Sequence, residues 1–129
     1  MAHKYIKGDI VMYDNKIMVI KEPRDGSHFD MSCPKEGLVY CLVDVNEIKP
    51  VSLTPEILEK NGWRTQNRWY YYLDVAEGFI SYIGIDFKHK SNKGHLYVEI
   101  DGNNMVEIQY CHELQHFLFG LGLNSEMEV

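Results

Sequence analysis

Apolar and polar positions alternate along most of this chain, and twice the alternation gives way to a helical period. Ile10 to Tyr13 follows a Lys7-Gly8-Asp9 turn signal, and Asp14-Asn15 is a second one. Lys16 to Lys21 is rich in β-branched residues and reads as the hairpin partner. Pro23, Asp25 and Gly26 break the pattern and predict a loop to about Gly37. Leu38 to Val43 predicts the next strand. Val45 to Val51 predicts a short extended piece, because Pro50 disfavours helix at Lys49. Several short strands in this stretch, opening with Gly-Asp, predict an SH3-like small β-barrel or curled meander over residues 1–51.

The first helical stretch has clear ends. Thr54 suits an N-cap, Pro55 the first helical position, and Glu56 the positive end of the helix dipole. Asn61-Gly62 is a stop signal, with Trp63 placed to fold back. Beyond it, alternation returns. Arg68 to Leu73 predicts a strand with Trp69 and Tyr71 on one face and Tyr70 and Tyr72 on the other. Phe79 to Phe87, Leu96 to Ile100 and Met105 to Tyr110 predict three more, the last two joined by a turn at Asp101 to Asn104.

The second helical stretch is Tyr110 to Leu121. Leu114, Phe117, Leu118 and Leu121 fall at helical spacing and define one apolar stripe with Cys111. The fold class predicted is α+β: the β-unit at 1–51, and over 52–129 a short linking helix and an antiparallel sheet capped by the C-terminal helix, either as a second domain or as one compact unit with the first. Ile10, Val19, Leu42 and Ile48 are the expected core of the first part. Trp69, Ile83, Val98, Leu114 and Leu118 are the expected core of the second.

The 129 residues are 45% hydrophobic, enough for a sizeable core, and carry a net charge of -6. Bulk electrostatics therefore oppose nucleic acid and anionic membrane. No apolar run approaches the ~20 residues that span a bilayer, and the opening MAHKYIKGD has no apolar signal core; the expected location is cytoplasmic. Three cysteines, an odd number with no Cys-x-x-Cys pair, agree with that location. Cys41 and Cys111 have apolar or aromatic neighbours and are expected buried, whereas Cys33, in Ser-Cys-Pro, is expected in an exposed loop.

Within the last helix, His112-Glu113-Leu114-Gln115-His116 spells His-Glu-x-x-His. Two histidines at i and i+4 can share a tetrahedral zinc, with the glutamate as general base. The apolar stripe argues against it. If Leu114 and Leu118 face inward, His112 and His116 lie outside, without a third ligand or a dry cleft; any metal there would be held by His112 and His116 alone. An exposed polar face of His112, Gln115 and His116 beside Phe119 instead suggests a partner surface. A second candidate is the loop carrying Lys88, His89, Lys90, Lys93 and His95. With Tyr70 and Tyr72 nearby it has the lysines and stacking aromatics of a single-strand nucleic-acid binder. Asp74, Glu77 and Asp86 have no paired spacing for acid–base work, and no cofactor is implied.

Two stretches carry a resemblance. Ile48 to Trp63, IKPVSLTPEILEKNGW, resembles a Pro-x-x-Leu-Thr helix entry ending in Gly-aromatic. Val106 to Leu121, VEIQYCHELQHFLFGL, resembles a Tyr-x-His-x-Leu-Gln helix. Together they are similar to a family of small uncharacterised proteins from Bacteroidales and their phages or mobile elements. In that pattern the position of Glu113 is usually Gln and that of His116 usually Asn. The resemblance thus carries over His112 and Gln115 and lends nothing to a metal role for Glu113 and His116. The function expected is a non-catalytic protein-interaction or accessory module, with an unknown protein partner or self-association. A nucleic-acid-binding module is the alternative, and a metal-dependent hydrolase the third.

Overall fold

In the computed structural model the protein is described over residues 4–129, the side chains of Ala76 and Glu77 excepted. It is a mixed α+β chain with two five-stranded antiparallel sheets. It divides into two compact units, the first running to Ser52 and resuming over Tyr110–Met127, the second spanning Leu53–Gln109. No helix among the described residues is long and apolar enough to cross a membrane.

The first unit contains β1 (Ile10–Tyr13), β2 (Lys16–Pro23), β3 (His28–Cys33), β4 (Leu38–Asp44) and β5 (Lys49–Pro50), in sheet order β4-β3-β2-β1-β5. The sheet is open, with β4 and β5 at its edges, and does not close into a barrel. Asp14 and Asn15 both take positive φ, 53° and 58°, between the paired Tyr13 and Lys16. That is the two-residue turn whose twist matches the flanking strands. A 3-10 turn, Val45–Glu47, separates β4 from β5, with the Asp44 carboxylate accepting from the Asn46 N–H at 2.9 Å. The core gathers Val11, Met18, Ile20, Phe29, Met31 and Ile48.

β3 lies where the sequence predicts a loop. Its polar letters, His28, Asp30 and Ser32, hide the strand because Asp30 is buried with its hydrogen bonds filled. Its two carboxylate oxygens take Arg24 Nε at 2.6 Å and the Leu42 N–H at 3.0 Å. Opposite Asp30, β4 carries one extra residue, so that Phe29 pairs Val43 while Met31 pairs Tyr40. This bulge gives Leu42 a φ of 54° and turns Cys41 and Leu42 outward. Two expectations are corrected. Leu42 is exposed rather than core, and the buried cysteines are Cys33 and Cys111, with Cys41 exposed. Val19 is only half-buried.

The second unit begins with α1 (Pro55–Lys60), capped as the sequence predicts. Thr54 Oγ1 accepts from the Ile57 N–H at 3.3 Å, and the Trp63 N–H returns to the Leu58 carbonyl at 3.0 Å past Gly62 at φ 85°. There follow β6 (Arg64–Thr65), β7 (Tyr70–Glu77), β8 (Ile80–Asp86), β9 (Leu96–Ile100) and β10 (Asn103–Ile108), a meander in which each strand pairs the next. The Asp101-Gly102 turn, both residues at positive φ, is two residues long, so β10 starts at Asn103 rather than Met105. Ile83, Ile85, Val98 and Tyr71 share the buried face. Trp69 precedes β7 and is half-buried, not part of that core.

α2 (Cys111–Gly120) closes the chain's regular structure. It was expected to cap the second sheet as part of a 52–129 domain. It belongs instead to the first unit, where its start is tied to the chain beside β5. The Cys111 N–H donates to the Val51 carbonyl at 2.8 Å, and Ser52 bridges Tyr110.

Candidate functional site

At about 100° per residue, Leu114, Leu118, Cys111, Gln115 and His112 span one continuous arc of α2, and all five are buried. The buried arc is therefore wider than the apolar stripe and turned toward the polar residues. The expectation that His112, Gln115 and His116 face outward as a free surface is corrected. A helix face can bury polar side chains when each finds a partner, and the Gly8-Asp9-Ile10 segment supplies partners for Gln115 and His116.

Gln115 spans that segment. Its Oε1 accepts the Ile10 N–H at 2.8 Å, and its Nε2 donates to the Gly8 carbonyl at 2.9 Å and the Ser125 carbonyl at 3.1 Å. His116 places Nε2 2.8 Å from Asp9 Oδ2, which also accepts the Ile6 N–H at 2.8 Å. Asp9 is 1% exposed. Burial pushes its pKa above the ordinary carboxylate value, opposed by the Ile6 and His116 bonds. The His112 ring lies stacked with Tyr110 at 6.0 Å between centroids and meets Tyr5 edge-on at 5.1 Å.

The zinc letters thus have other employment. Glu113 Oε1 accepts the Tyr110 N–H at 2.9 Å, which makes it a helix cap. Among the described residues no three His, Cys, Asp or Glu side chains are grouped to hold a metal. Of the four residues assigned to a partner surface, Phe119 is exposed, His116 is half-buried, and His112 and Gln115 are buried.

The loop after β8 is built on Asp86. Its Oδ1 accepts the Lys88 and His89 N–H groups at 2.8 and 2.9 Å, and Oδ2 meets His89 Nδ1 at 2.9 Å. Lys88 Nζ lies 5.2 Å from the centre of the Trp69 ring. Lys90 and Lys93 are exposed. The loop does present cations, and one of them already covers an aromatic ring of its own chain.

Tyr70 and Tyr72 share a face of the second sheet, as predicted. Asp74 follows at the same alternation on β7, and cross-strand pairing adds Tyr82, Gly84, Tyr97 and Glu99 to the face. Tyr70, Tyr72 and Tyr82, with Asp74, Gln66 and Asn67, line a cleft of about 310 Å³. Gly84 explains its floor. A Cβ there would overlap the Tyr70 ring and hydroxyl, so a strand glycine allows Tyr70 to lie down across β8. In that position Tyr70 Oη donates to Glu99 Oε1 at 3.0 Å, and burial and Glu99 push its pKa up. One wall is rigid. Asn67 Oδ1 accepts the Trp69 and Tyr70 N–H groups at 3.1 and 2.9 Å, while Thr65 Oγ1 donates to the Tyr70 carbonyl at 2.8 Å and accepts the Arg68 N–H at 2.9 Å. Next to Thr65 on β6, Arg64 holds its guanidinium 5.4 Å over Tyr72 and pairs with Asp74 at 3.0 Å.

The sequence missed Tyr82, Gly84, Asp74 and Glu99 as neighbours of Tyr70 and Tyr72. The legible signal was an unexplained glycine inside an aromatic, β-branched run.

Fold and cleft define a two-unit α+β chain with a tyrosine-lined sheet face. Comparison with known proteins finds no family, no curated protein and no solved structure that matches it.

Proposed function

We propose that this chain is a non-catalytic, cytoplasmic protein-interaction module, an accessory protein of the bacterial or mobile-element kind that the sequence resemblance implies. It engages its partner through the tyrosine-lined face of the second unit. The observation that carries this reading is the cleft itself: concave, largely aromatic, and walled by a loop whose own hydrogen bonds fix it before any ligand arrives. In the first unit, the order β4-β3-β2-β1-β5 with a 3-10 turn before β5 supports an SH3-like reading of that part. The polar face of α2 is occupied in holding Gly8 to Ile10, which leaves Phe119 as its exposed apolar residue.

The test is to pan random displayed peptides on the wild-type protein and on a Tyr72→Ala/Tyr82→Ala variant of verified fold. Peptides recovered on the first and lost on the second support the module. Equal recovery on both, or none on either, overturns it. A labelled oligothymidylate bound in a salt-sensitive way, and lost when Lys88, Lys90 and Lys93 become Ala, would put the nucleic-acid reading in its place.

A further inference from the structure

We infer that the tyrosine cleft of the second unit takes a cationic side chain, a guanidinium or an ammonium, presented by an extended peptide. The inference rests on the binding-module reading and adds the class of ligand.

The chemistry of the lining selects for positive charge. Ring faces are the negative side of the aromatic quadrupole and attract cations that stand over them. Tyr70, Tyr72 and Tyr82 surround the cleft, and Asp74 stands among them. Glu99 lies beside the lining on the same face, across from Gly84 and bonded to the Tyr70 hydroxyl. The Tyr70 hydroxyl donates to Glu99, so the floor presents a neutral aromatic ring backed by a carboxylate. A phosphate backbone would meet Asp74 and Glu99 on this face and be repelled.

The chain also contains an instance of the contact. Arg64 holds its guanidinium 5.4 Å over Tyr72 with Nη1 3.0 Å from Asp74, although the Arg64 side chain is 68% exposed. A cation of the same geometry and charge is therefore accepted at the rim of the cleft. Because that cation is solvent-exposed, an incoming one can displace it. A volume of about 310 Å³ holds one such head group and its stem but not a folded element.

The test is a series of short peptides identical except for a central Arg, Lys or Gln, titrated into the isotope-labelled full chain and followed by amide and tyrosine ring shifts. The Arg and Lys peptides should shift Tyr70, Tyr72 and Tyr82, and the Gln peptide should not. Tyr72→Ala should weaken the Arg peptide about tenfold, with Tyr72→Phe close to wild type. Asp74→Asn should weaken it most at low salt. Arg64→Ala should strengthen it several-fold, since it frees Tyr72 and Asp74 from the resident cation; a purely structural Arg64 would not produce that gain. Unchanged or weaker binding in Arg64→Ala, or equal shifts from the Gln and Arg peptides, overturns the assignment. Neutral peptides recovered by panning in a Tyr72- and Tyr82-dependent way would sink the cationic ligand and leave the binding module standing. No cleft-dependent peptide of any kind would sink both.

Discussion

The Gln115 side chain and the Ile10 backbone N–H meet at 2.8 Å, although 105 positions of sequence separate them. The same amide reaches the Gly8 carbonyl, so one buried side chain satisfies both a donor and an acceptor where the chain enters β1. Truncation would orphan both groups. Gln115→Ala is expected to cost about 2–4 kcal/mol, from unsatisfied buried polar groups and the lost packing of the side-chain stem. Urea unfolding of the two proteins measures it, and a loss under about 0.5 kcal/mol would mean that the helix is held by something else.

Asp9 gives the first unit a pH dependence. Burial raises its pKa in the folded chain, so the folded state binds that proton more tightly than the unfolded state. Its contribution is therefore most favourable below the unfolded value, near pH 4, and declines as pH rises through the higher folded value. Asp9→Asn keeps an oxygen for the Ile6 N–H and removes the titration. The difference in unfolding free energy between wild type and Asp9→Asn should change across this interval, by at most about 1.4 kcal/mol per pH unit for one proton. A difference that is flat from pH 4 to neutrality contradicts the assignment.

Glu113 separates cap from catalyst. Its carboxylate oxygen serves the Tyr110 N–H. Glu113→Ala should cost about 1 kcal/mol, and Glu113→Gln, which keeps an acceptor, less than about 0.5 kcal/mol. Thermal melts of both variants decide this. Peptide hydrolysis by the wild type that disappears in Glu113→Gln would return the zinc reading.

Native alkylation should reach one cysteine. Cys41 is exposed at the β4 bulge, Cys33 is 3% exposed, and Cys111 is fully buried with its thiol pushed up to about 12 by burial. Iodoacetamide on the folded protein should modify Cys41 alone, and all three cysteines after unfolding in urea. Rapid modification of Cys111 in the folded chain would place α2 elsewhere.

Gly84→Ala should disturb the cleft more than the fold. The added methyl overlaps the Tyr70 ring, whose far end can swing toward solvent. We expect about 1 kcal/mol of destabilisation, loss of the Tyr70–Glu99 hydrogen bond, and loss of cationic-peptide binding. Tyrosine ring shifts read the displacement directly; an undisplaced Tyr70 would contradict the close approach.

What depends on near neighbours was legible in the residues alone. Asp14-Asn15 and Asp101-Gly102 take the positive φ angles of two-residue turns, and Thr54-Pro55 with Asn61-Gly62 bounds α1, because those conformations are chosen by adjacent side chains and their local hydrogen bonds. The period of Leu114 and Leu118 correctly marked them as buried. Which unit α2 joins, and how far its buried arc extends, depends on contacts distant in sequence. A helical period reports where apolar residues lie, whereas burying His112 and Gln115 depends on groups that are distant in sequence: Tyr5, Gly8 and Ile10. The same reason hid β3, whose inward Asp30 is allowed by Arg24 and the Leu42 N–H, and with it the exchange of Cys33 for Cys41 inside. It also hid the cleft. The alternation of Tyr70 and Tyr72 was legible, but strand register alone brought Gly84, Tyr82 and Glu99 onto their face and let one tyrosine lie flat among the others.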